Sequence, residues 1–310
     1  MKTLTVVCPA YNEADGIRDF YGVLKAELAK LSNYSSKILF VDDGSRDSTY
    51  SVLLSIAKGD KNVQVAHFSR NFGHQLALLA GIDHSKADVV IMMDSDLQHP
   101  PAVIPLLLAE YEKGNDIVYT VRDDSQTVGM GRRIMGKIFY WVVNRLSDVP
   151  ISENASDFRL ISGRVAELIR TQIRERNIFL RGIISWIGFK SSYVHFKTAA
   201  RKAGVSKYSV SRLLQFAIFG IISFSKKPLR LATISGLLIA LIGFVVALVT
   251  IVQSFINNSL PDGWATVVVL LSILGGVQIV FLGILGEYVG AIFDEAKARP
   301  NYIIEDIINA

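Results

Sequence analysis

Short apolar runs alternate with longer amphipathic ones through the amino-terminal third of this 310-residue chain. Leu4-Thr5-Val6-Val7-Cys8 reads as a strand stopped at Pro9, and Lys37-Ile38-Leu39-Phe40-Val41 as a second, ended by Asp42-Asp43-Gly44-Ser45. Val63 to Phe68 makes a third, and Val89-Val90-Ile91-Met92-Met93 a fourth. Between them, Ala14 to Leu31 sets Ile17, Phe20, Tyr21, Leu24 and Leu28 at helical spacing, and Ser48 to Ala57 and His74 to Ser85 are also read as helices. A strand that is apolar at every position has to be covered on both faces, as in parallel sheets. The alternation therefore predicts an α/β fold: a Rossmann-like, mostly parallel sheet with helices on both faces.

After a further strand-like run, Ile117 to Val121, the pattern changes. Arg132 to Leu146 gathers Ile134, Ile138, Trp141, Val142 and Leu146 near one face, with Arg133, Lys137 and Arg145 elsewhere. Such a basic amphipathic helix fits either a membrane interface or packing on the sheet. Leu213 to Phe224 is strongly apolar but too short to span, so a segment near 209–225 is expected to lie along the membrane. No charged residue occurs from Leu231 to Pro261, nor from Gly263 to Gly286. Each stretch exceeds the roughly 20 apolar residues that a spanning helix needs. Two transmembrane helices are expected, at about 231–256 and 264–288; the alternative is a hairpin buried in a large soluble core. Gly236, Gly243, Gly275, Gly276, Gly283, Gly286 and Gly290 would let these helices pack closely within or between subunits, so a homo-oligomer is expected.

Composition adds location. The opening Met1-Lys2-Thr3 leads into an apolar run too short for a secretory signal, so the first 225 or so residues are expected in the cytoplasm. The single cysteine, Cys8, excludes an intrachain disulfide and fits a reducing compartment. The net charge of +5 is modest, but Arg132, Arg133, Lys137 and Arg145 cluster, as do Lys226, Lys227 and Arg230. The loop Gln253–Trp264 has no basic residue, which places both termini on the cytoplasmic side of the inner membrane. Nucleic acid is the rival partner for basic clusters; their position beside membrane segments favours anionic lipid headgroups instead.

Candidate chemistry sits at the carboxyl ends of the strands, where ligands of such sheets collect. Those ends carry Pro9-Ala10-Tyr11-Asn12-Glu13, Asp42-Asp43-Gly44-Ser45, Ser69-Arg70-Asn71-Phe72-Gly73 and Asp94-Ser95-Asp96-Leu97-Gln98. Carboxylates two residues apart after a buried strand can face one hard cation, Mg²⁺ or Mn²⁺, together with substrate phosphates. The cation would neutralise a leaving diphosphate. Asp42-Asp43-Gly44-Ser45 is either a plain turn or a base and ribose contact, with Asp43 or Asp42 accepting from a nucleobase N–H. Glu13 is a candidate for ribose hydroxyls, and Tyr11 for packing beside the base. His74 and His99 lie near this cleft, where hydrogen bonding or capping is the expected role. No Gly-x-x-x-x-Gly-Lys phosphate loop and no Ser-His-Asp arrangement is present.

Pro9–Glu13, Asp42–Ser45 and Asp94-Ser95-Asp96-Leu97-Gln98-His99-Pro100-Pro101 together resemble family 2 glycosyltransferases of the GT-A fold, in order and spacing, across the first 120 residues. Two carboxy-terminal spans extend the likeness to the polyprenyl-phosphate branch, in particular to members that glucosylate bactoprenol phosphate. The resemblance implies a membrane hexosyltransferase that works with inversion on a nucleotide sugar. It further implies a divalent metal held by Asp94, Asp96 and Gln98, with Asp96 counted among the catalytic residues. A nucleotide-sugar site of Pro9, Ala10, Tyr11, Glu13, Asp42, Asp43, Arg70, Asp94 and Ser95 follows, as does a tetramer. UDP-glucose is the expected donor, with GDP-mannose, UDP-N-acetylglucosamine and an aminoarabinose nucleotide as alternatives, and polyprenyl phosphate the acceptor.

Two middle segments add to the resemblance. Asn154-Ala155-Ser156-Asp157-Phe158-Arg159-Leu160 is similar to the family stretch whose aspartate is proposed as catalytic base. The plainer alternative is that Asp157 caps a helix over Phe158–Leu168. A phosphate monoester has its second pKa near 6, so the acceptor is already largely a dianion at neutral pH; Asp157 would then orient the acceptor or stabilise positive charge on the sugar. Arg201-Lys202-Ala203-Gly204-Val205-Ser206-Lys207-Tyr208 is similar to the family's basic loop, in which Arg201 and Lys207, with Tyr208, would grip a phosphate; a solvated loop is the plainer reading. Phe179-Leu180-Arg181-Gly182 and Trp186 are read as an acceptor-side loop and an interfacial anchor. The expected organisation is a cytoplasmic GT-A domain at 1–225, two spans within 226–295 and a cytoplasmic tail at 296–310. Rival readings are a processive synthase, whose Gln-x-x-Arg-Trp motif is missing, and a membrane scaffold with an inactive domain.

Overall fold

A computed structural model describes residues 1–122, 145, 155–176, 178–196, 225–257 and 263–309. Strands β1 (Lys2–Ala10), β2 (Tyr34–Asp42), β3 (Val63–Phe68) and β4 (Val89–Met92) alternate with helices α1 (Ile17–Leu28), α2 (Thr49–Gly59) and α3 (His74–His84). Helix α4 (Ile104–Glu112) then leads to β5 (Ile117–Arg122). There follow β6 (Ala155–Ser162), α5 (Gly163–Gln172), α6 (Leu180–Trp186), β7 (Ser191–Phe196), two long helices α7 (Lys227–Asn257) and α8 (Trp264–Ala296), and β8 (Ile304–Ile308).

The strands form one eight-stranded sheet in the order β7-β5-β6-β4-β1-β2-β3-β8. The predicted parallel half is present: β1 pairs in parallel with β2 and β4, and β2 with β3. The apolar runs are continuous because alternate residues enter different cores. Val6, Cys8, Ile38, Phe40, Val89 and Ile91 pack on one face with Phe20 and Leu24 of α1 and Leu53 of α2. Val7, Leu39, Val41, Val90 and Met92 pack on the other with Leu78 and Leu79 of α3 and Ile169 of α5. Gly81 of α3 is pressed against β1: a Cβ there would lie 2.0 Å from Val7 Cγ1.

Two expectations need correction. The segment after Asn154 is not a helix capped by Asp157. It is β6, antiparallel to both β4 and β5, and the helix that follows is capped by Ser162, whose hydroxyl accepts from the Val165 amide. The chain beyond residue 296 is not a detached tail either: β8 adds antiparallel to β3 and closes that edge of the sheet. The helical segments expected at 132–146 and 209–225 fall outside the described residues, save Ser225 and Arg145; the Arg145 carbonyl accepts from Lys227 Nζ at 3.3 Å.

Helices α7 and α8 are long and apolar enough to cross a membrane, and Leu237, Ile242, Phe244, Ile279 and Leu282 on them are exposed. A hairpin in a soluble core would bury those side chains, so the alternative of a buried hairpin does not describe this chain. Cys8 is fully buried in β1. Burial pushes its thiol well above the ordinary range, with nearby Asp94 adding to the effect, so it acts as packing.

Candidate active site

The ends of β1, β2, β3 and β4 meet at one edge of the sheet, as its parallel order requires. Short bonds hold the loops together there. The Ser95 hydroxyl donates to the Pro9 carbonyl (2.9 Å), the Asp43 amide to the Ala10 carbonyl (2.9 Å) and the Asn12 amide to Ser45 Oγ (3.0 Å). Asn12 and Leu97 both adopt left-handed backbone, at φ of 55° and 61°. Such conformations are uncommon outside glycine and concentrate where a loop serves a site. Tyr11 is 40% exposed on this edge, and the Glu13 carbonyl accepts from Gly16 and Ile17 at the start of α1. Arg70 lies over the Phe72 ring, 4.0 Å from its centroid.

Asp42 and Asp43 do not offer free carboxylates to a base. Asp42 is fully buried; its Oδ1 accepts from the amide and hydroxyl of Ser45 and its Oδ2 from His67 Nδ1 at 2.7 Å. Asp43 Oδ1 accepts from the Phe72 and Gly73 amides (2.6 and 3.1 Å), and its Oδ2 from Asn71 Nδ2 and the Gly73 amide, both at 2.9 Å. Burial raises the Asp43 carboxyl above its ordinary pKa, with the Phe72 and Gly73 amides opposing it. Both residues brace the loops that form the cleft. Gly44, which follows them, stands at φ +63°, where a Cβ would come within 2.3 Å of the Arg70 carbonyl carbon and 2.7 Å of the Asn71 nitrogen. Gly44→Ala is expected to destabilise the protein by about 2 kcal/mol or more, from left-handed strain and the backbone clash together. Its thermal midpoint should fall by about 5 °C or more in a calorimetric melt.

The Asp94 end of β4 is different. Asp94 Oδ1 is buried without a hydrogen-bond donor among the described residues, and His74 Nε2 is 3.4 Å away. The Asp94 amide donates to His99 Nδ1 (3.0 Å), while His99 Nε2 lies 2.7 Å from Ser156 Oγ and 3.0 Å from Arg122 Nη2. Burial holds His99 below its ordinary pKa although Asp94 opposes it, so the ring is a neutral strut, stacked on Phe158. Asp96 accepts from the Gln98 amide (3.1 Å) and from Gln98 Nε2 (2.7 Å), leaving the Gln98 side-chain carbonyl for another partner. Two carboxylates and an amide oxygen are the donor set of a hard cation, and the orphaned Asp94 oxygen suits one. Among the described residues no three His, Cys, Asp or Glu groups converge on a point, so phosphate oxygens and water would complete the shell.

Across the cleft stands Asp157 on β6. Its Oδ1 accepts from Arg159 Nη2 (3.0 Å) and lies 3.2 Å from Arg181 Nη2; its Oδ2 is 3.8 Å from His74 Nε2. Burial alone would raise this carboxyl, but Arg181, Arg159 and His74 together bring it down to about 2. His74 thus stands between Asp94 and Asp157, at the first turn of α3. Arg159, almost completely buried, was not singled out from the sequence, although Asp-x-Arg in a strand puts both side chains on one face. Arg201, Lys207 and Tyr208 lie outside the described residues. A groove of about 710 Å³ between Lys86–Asp88 and Ser162–Arg170 opens at the opposite ends of the strands, where Arg170 is held by the carbonyls of Ile82, Asp83 and Ser85.

Residues 5–168 match the family described as Glycosyl transferase family 2, and residues 227–292 match the GtrB C-terminal hairpin. The chain is 40% identical over 303 residues to the bactoprenol glucosyl transferase of Shigella phage SfV, covering 98% of each chain. It is 39% identical over 304 residues to the prophage bactoprenol glucosyl transferase homolog of Escherichia coli (strain K12), covering 98% of this chain and 99% of that one.

Proposed function

The chain belongs to glycosyl transferase family 2, and from that premise we propose that it transfers glucose from UDP-glucose to a polyprenyl phosphate at a membrane face. The observation that carries this reading is a likeness to bactoprenol glucosyl transferases that runs end to end, hairpin included. An oxygen of the lipid phosphate attacks the anomeric carbon, the bond from that carbon to the diphosphate oxygen breaks with its electron pair leaving on UDP, and the configuration inverts.

The nucleotide would lie across Pro9–Glu13 and the loop after β2, with Tyr11 beside the base, Glu13 toward the ribose, and Arg70 and Ser95 along the diphosphate. Asp42 and Asp43 would shape that pocket by holding its loops. Asp94, Asp96 and Gln98 would hold Mg²⁺ or Mn²⁺, which neutralises charge gathering on the leaving diphosphate. Asp157, held as an anion with a pKa of about 2, is a poor proton acceptor at neutral pH. It fits better as a fixed negative charge facing the positive charge that builds on the sugar ring, and as the group that aims Arg181 at the acceptor phosphate. Arg201, Lys207 and Tyr208 would complete the acceptor side.

Residues 1–225 would rest on the cytoplasmic face, with the hairpin of 226–295 in the inner membrane and 296–310 returning to the same side. The return of β8 to the sheet supports that topology, because α7 leaves from the domain and α8 comes back to it. Anchoring confines the enzyme to the plane of its acceptor and so raises their effective concentration. A homo-oligomer, a tetramer by resemblance, would cover the exposed faces of α7 and α8. The test uses the purified full-length protein in detergent with polyprenyl phosphate, a panel of labelled nucleotide sugars, and Mg²⁺ or EDTA. Labelled lipid is expected with UDP-glucose and should vanish in EDTA. Product with a different donor alone would reassign the sugar, and no lipid product with any donor would overturn the reading.

A further inference from the structure

The segment that follows the second long helix makes contacts that an edge strand does not require. Its ends are fastened: Tyr302 donates to Asp83 Oδ2 at 2.7 Å and stacks on Phe68, and Asn309 Nδ2 donates to the carbonyls of Ala57 and Val63, both at 2.9 Å. Between these ends, β8 lies against two aromatic rings. Tyr50 of α2 donates to Asp306 Oδ2 at 2.7 Å and is stacked on His67, with ring centroids 4.0 Å apart and planes at 17°. His67 Nε2 is 3.8 Å from Glu305 Oε2, and its Nδ1 is 2.7 Å from Asp42 Oδ2.

Asp42 is the root of the donor-side loops. Its other oxygen holds the amide and hydroxyl of Ser45, and Ser45 Oγ in turn accepts from the Asn12 amide, in the left-handed turn beside Tyr11. A buried carboxylate that loses a donor must turn toward another or take up a proton. Such a turn would loosen the Oδ1 bonds to Ser45, and with them one of the contacts that bind the loop after β1 to the loop after β2.

We propose that His67 is a positioning residue for the donor nucleotide, and that the carboxy-terminal strand β8, through Glu305, Asp306 and Tyr50, holds its ring in place. This rests on the reading of that edge as a nucleotide site. It gives the chain beyond the hairpin a role: the membrane anchor and the donor pocket are joined by the few residues between Ala296 and Ile304.

The experiment measures UDP binding by calorimetry, and donor and acceptor KM, on the full-length enzyme in detergent with Mg²⁺. His67→Leu removes the donor to Asp42 and is expected to weaken UDP binding and raise the donor KM about tenfold, with kcat and the acceptor KM within about twofold; losses of binding common to ground and transition states have this signature. His67→Asn, whose amide nitrogen can occupy the place of Nδ1, is expected to stay within about threefold of wild type. Tyr50→Phe, which loses only the bond to Asp306, should fall between the two. The proposal is overturned if His67→Leu binds UDP as tightly as wild type, if donor and acceptor KM rise together, or if His67→Asn is as impaired as His67→Leu. Should His67→Leu fail to fold, the order of wild type, His67→Asn and Tyr50→Phe decides the matter in the same way. Wild-type protein that binds no UDP would sink the nucleotide reading itself, a result distinct from wild-type binding with an indifferent His67→Leu.

Discussion

Asp94→Asn is expected to slow formation of the lipid-linked sugar by about 10²–10³-fold, the range seen when one fixed group facing transition-state charge is lost. The expectation follows from an asymmetry at the end of β4. The Asp94 backbone is fixed by its bond to His99, while its Oδ1 has no donor among the described residues. An oxygen buried without a partner contributes little to the fold and is available to a ligand. The variant should therefore keep its thermal midpoint to within about 2 °C, because it removes charge without emptying volume. Its affinity for Mn²⁺, followed by electron paramagnetic resonance of the free ion in the presence of UDP, should fall at least tenfold. A variant that keeps wild-type rate and Mn²⁺ affinity would remove Asp94 from the metal site. An equal loss of rate and of thermal stability would make it a structural residue.

The parts of this architecture that the sequence revealed are those whose cause is local. Strand β4 is apolar throughout and β1 to β3 carry apolar runs because both faces are covered, so those runs and the turns that end them could be read in order. The two long carboxy-terminal helices were legible for a similar reason, since each carries a long uninterrupted apolar run. Strand β6 was not, because its cause is tertiary. Ala155-Ser156-Asp157 looks like a helix start followed by Phe158-Arg159-Leu160, and only pairing with β4 and β5 makes it a strand with a buried arginine. Strand β8 was hidden for a related reason. Glu305 and Asp306 interrupt its apolar residues, and they are tolerated because an edge strand leaves them exposed toward Tyr50 and His67.

The site divides the same way. Its carboxylates stand where strand ends put them, but what each can do depends on partners far off in sequence. Asp42 and Asp43 look interchangeable with Asp94 on paper. They differ because His67, Ser45, Asn71 and the Phe72 and Gly73 amides occupy their oxygens, whereas Asp94 keeps one oxygen without a hydrogen-bond donor among the described residues. Arg159 and Arg181 reach Asp157 from its own strand and from α6, and no spacing rule applied to a helix would have brought them there.

Asp157→Asn separates a base from a fixed charge by its pH dependence. In the native protein this carboxyl is depressed to about 2 by Arg181, Arg159 and His74 against the opposing effect of burial, while an unfolded aspartate titrates near 4. A depressed pKa contributes stability that is fully present above the unfolded value and lost as pH falls through the folded one. The stability gap between wild type and Asp157→Asn should thus be about 3 kcal/mol and constant from pH 5 to 8, shrinking only below about pH 4. Chemical denaturation at several pH values measures it. The rate should show the complementary pattern. If the lipid phosphate attacks as a dianion, wild-type kcat rises with pH through about 6, where the monoester loses its second proton. That limb should survive in Asp157→Asn at a rate lower by about 10²–10³-fold, because the variant has lost a charge and kept the nucleophile. A general base predicts otherwise: the variant would lose the limb along with the proton acceptor that produced it. Since a group with a pKa of about 2 is ionised across the whole assay range, its own titration cannot shape the wild-type profile between pH 5 and 8. Any limb in that window that disappears in Asp157→Asn would therefore mean that substrate binding lifts this carboxyl far above its value in the free enzyme, and would restore it to the role of base.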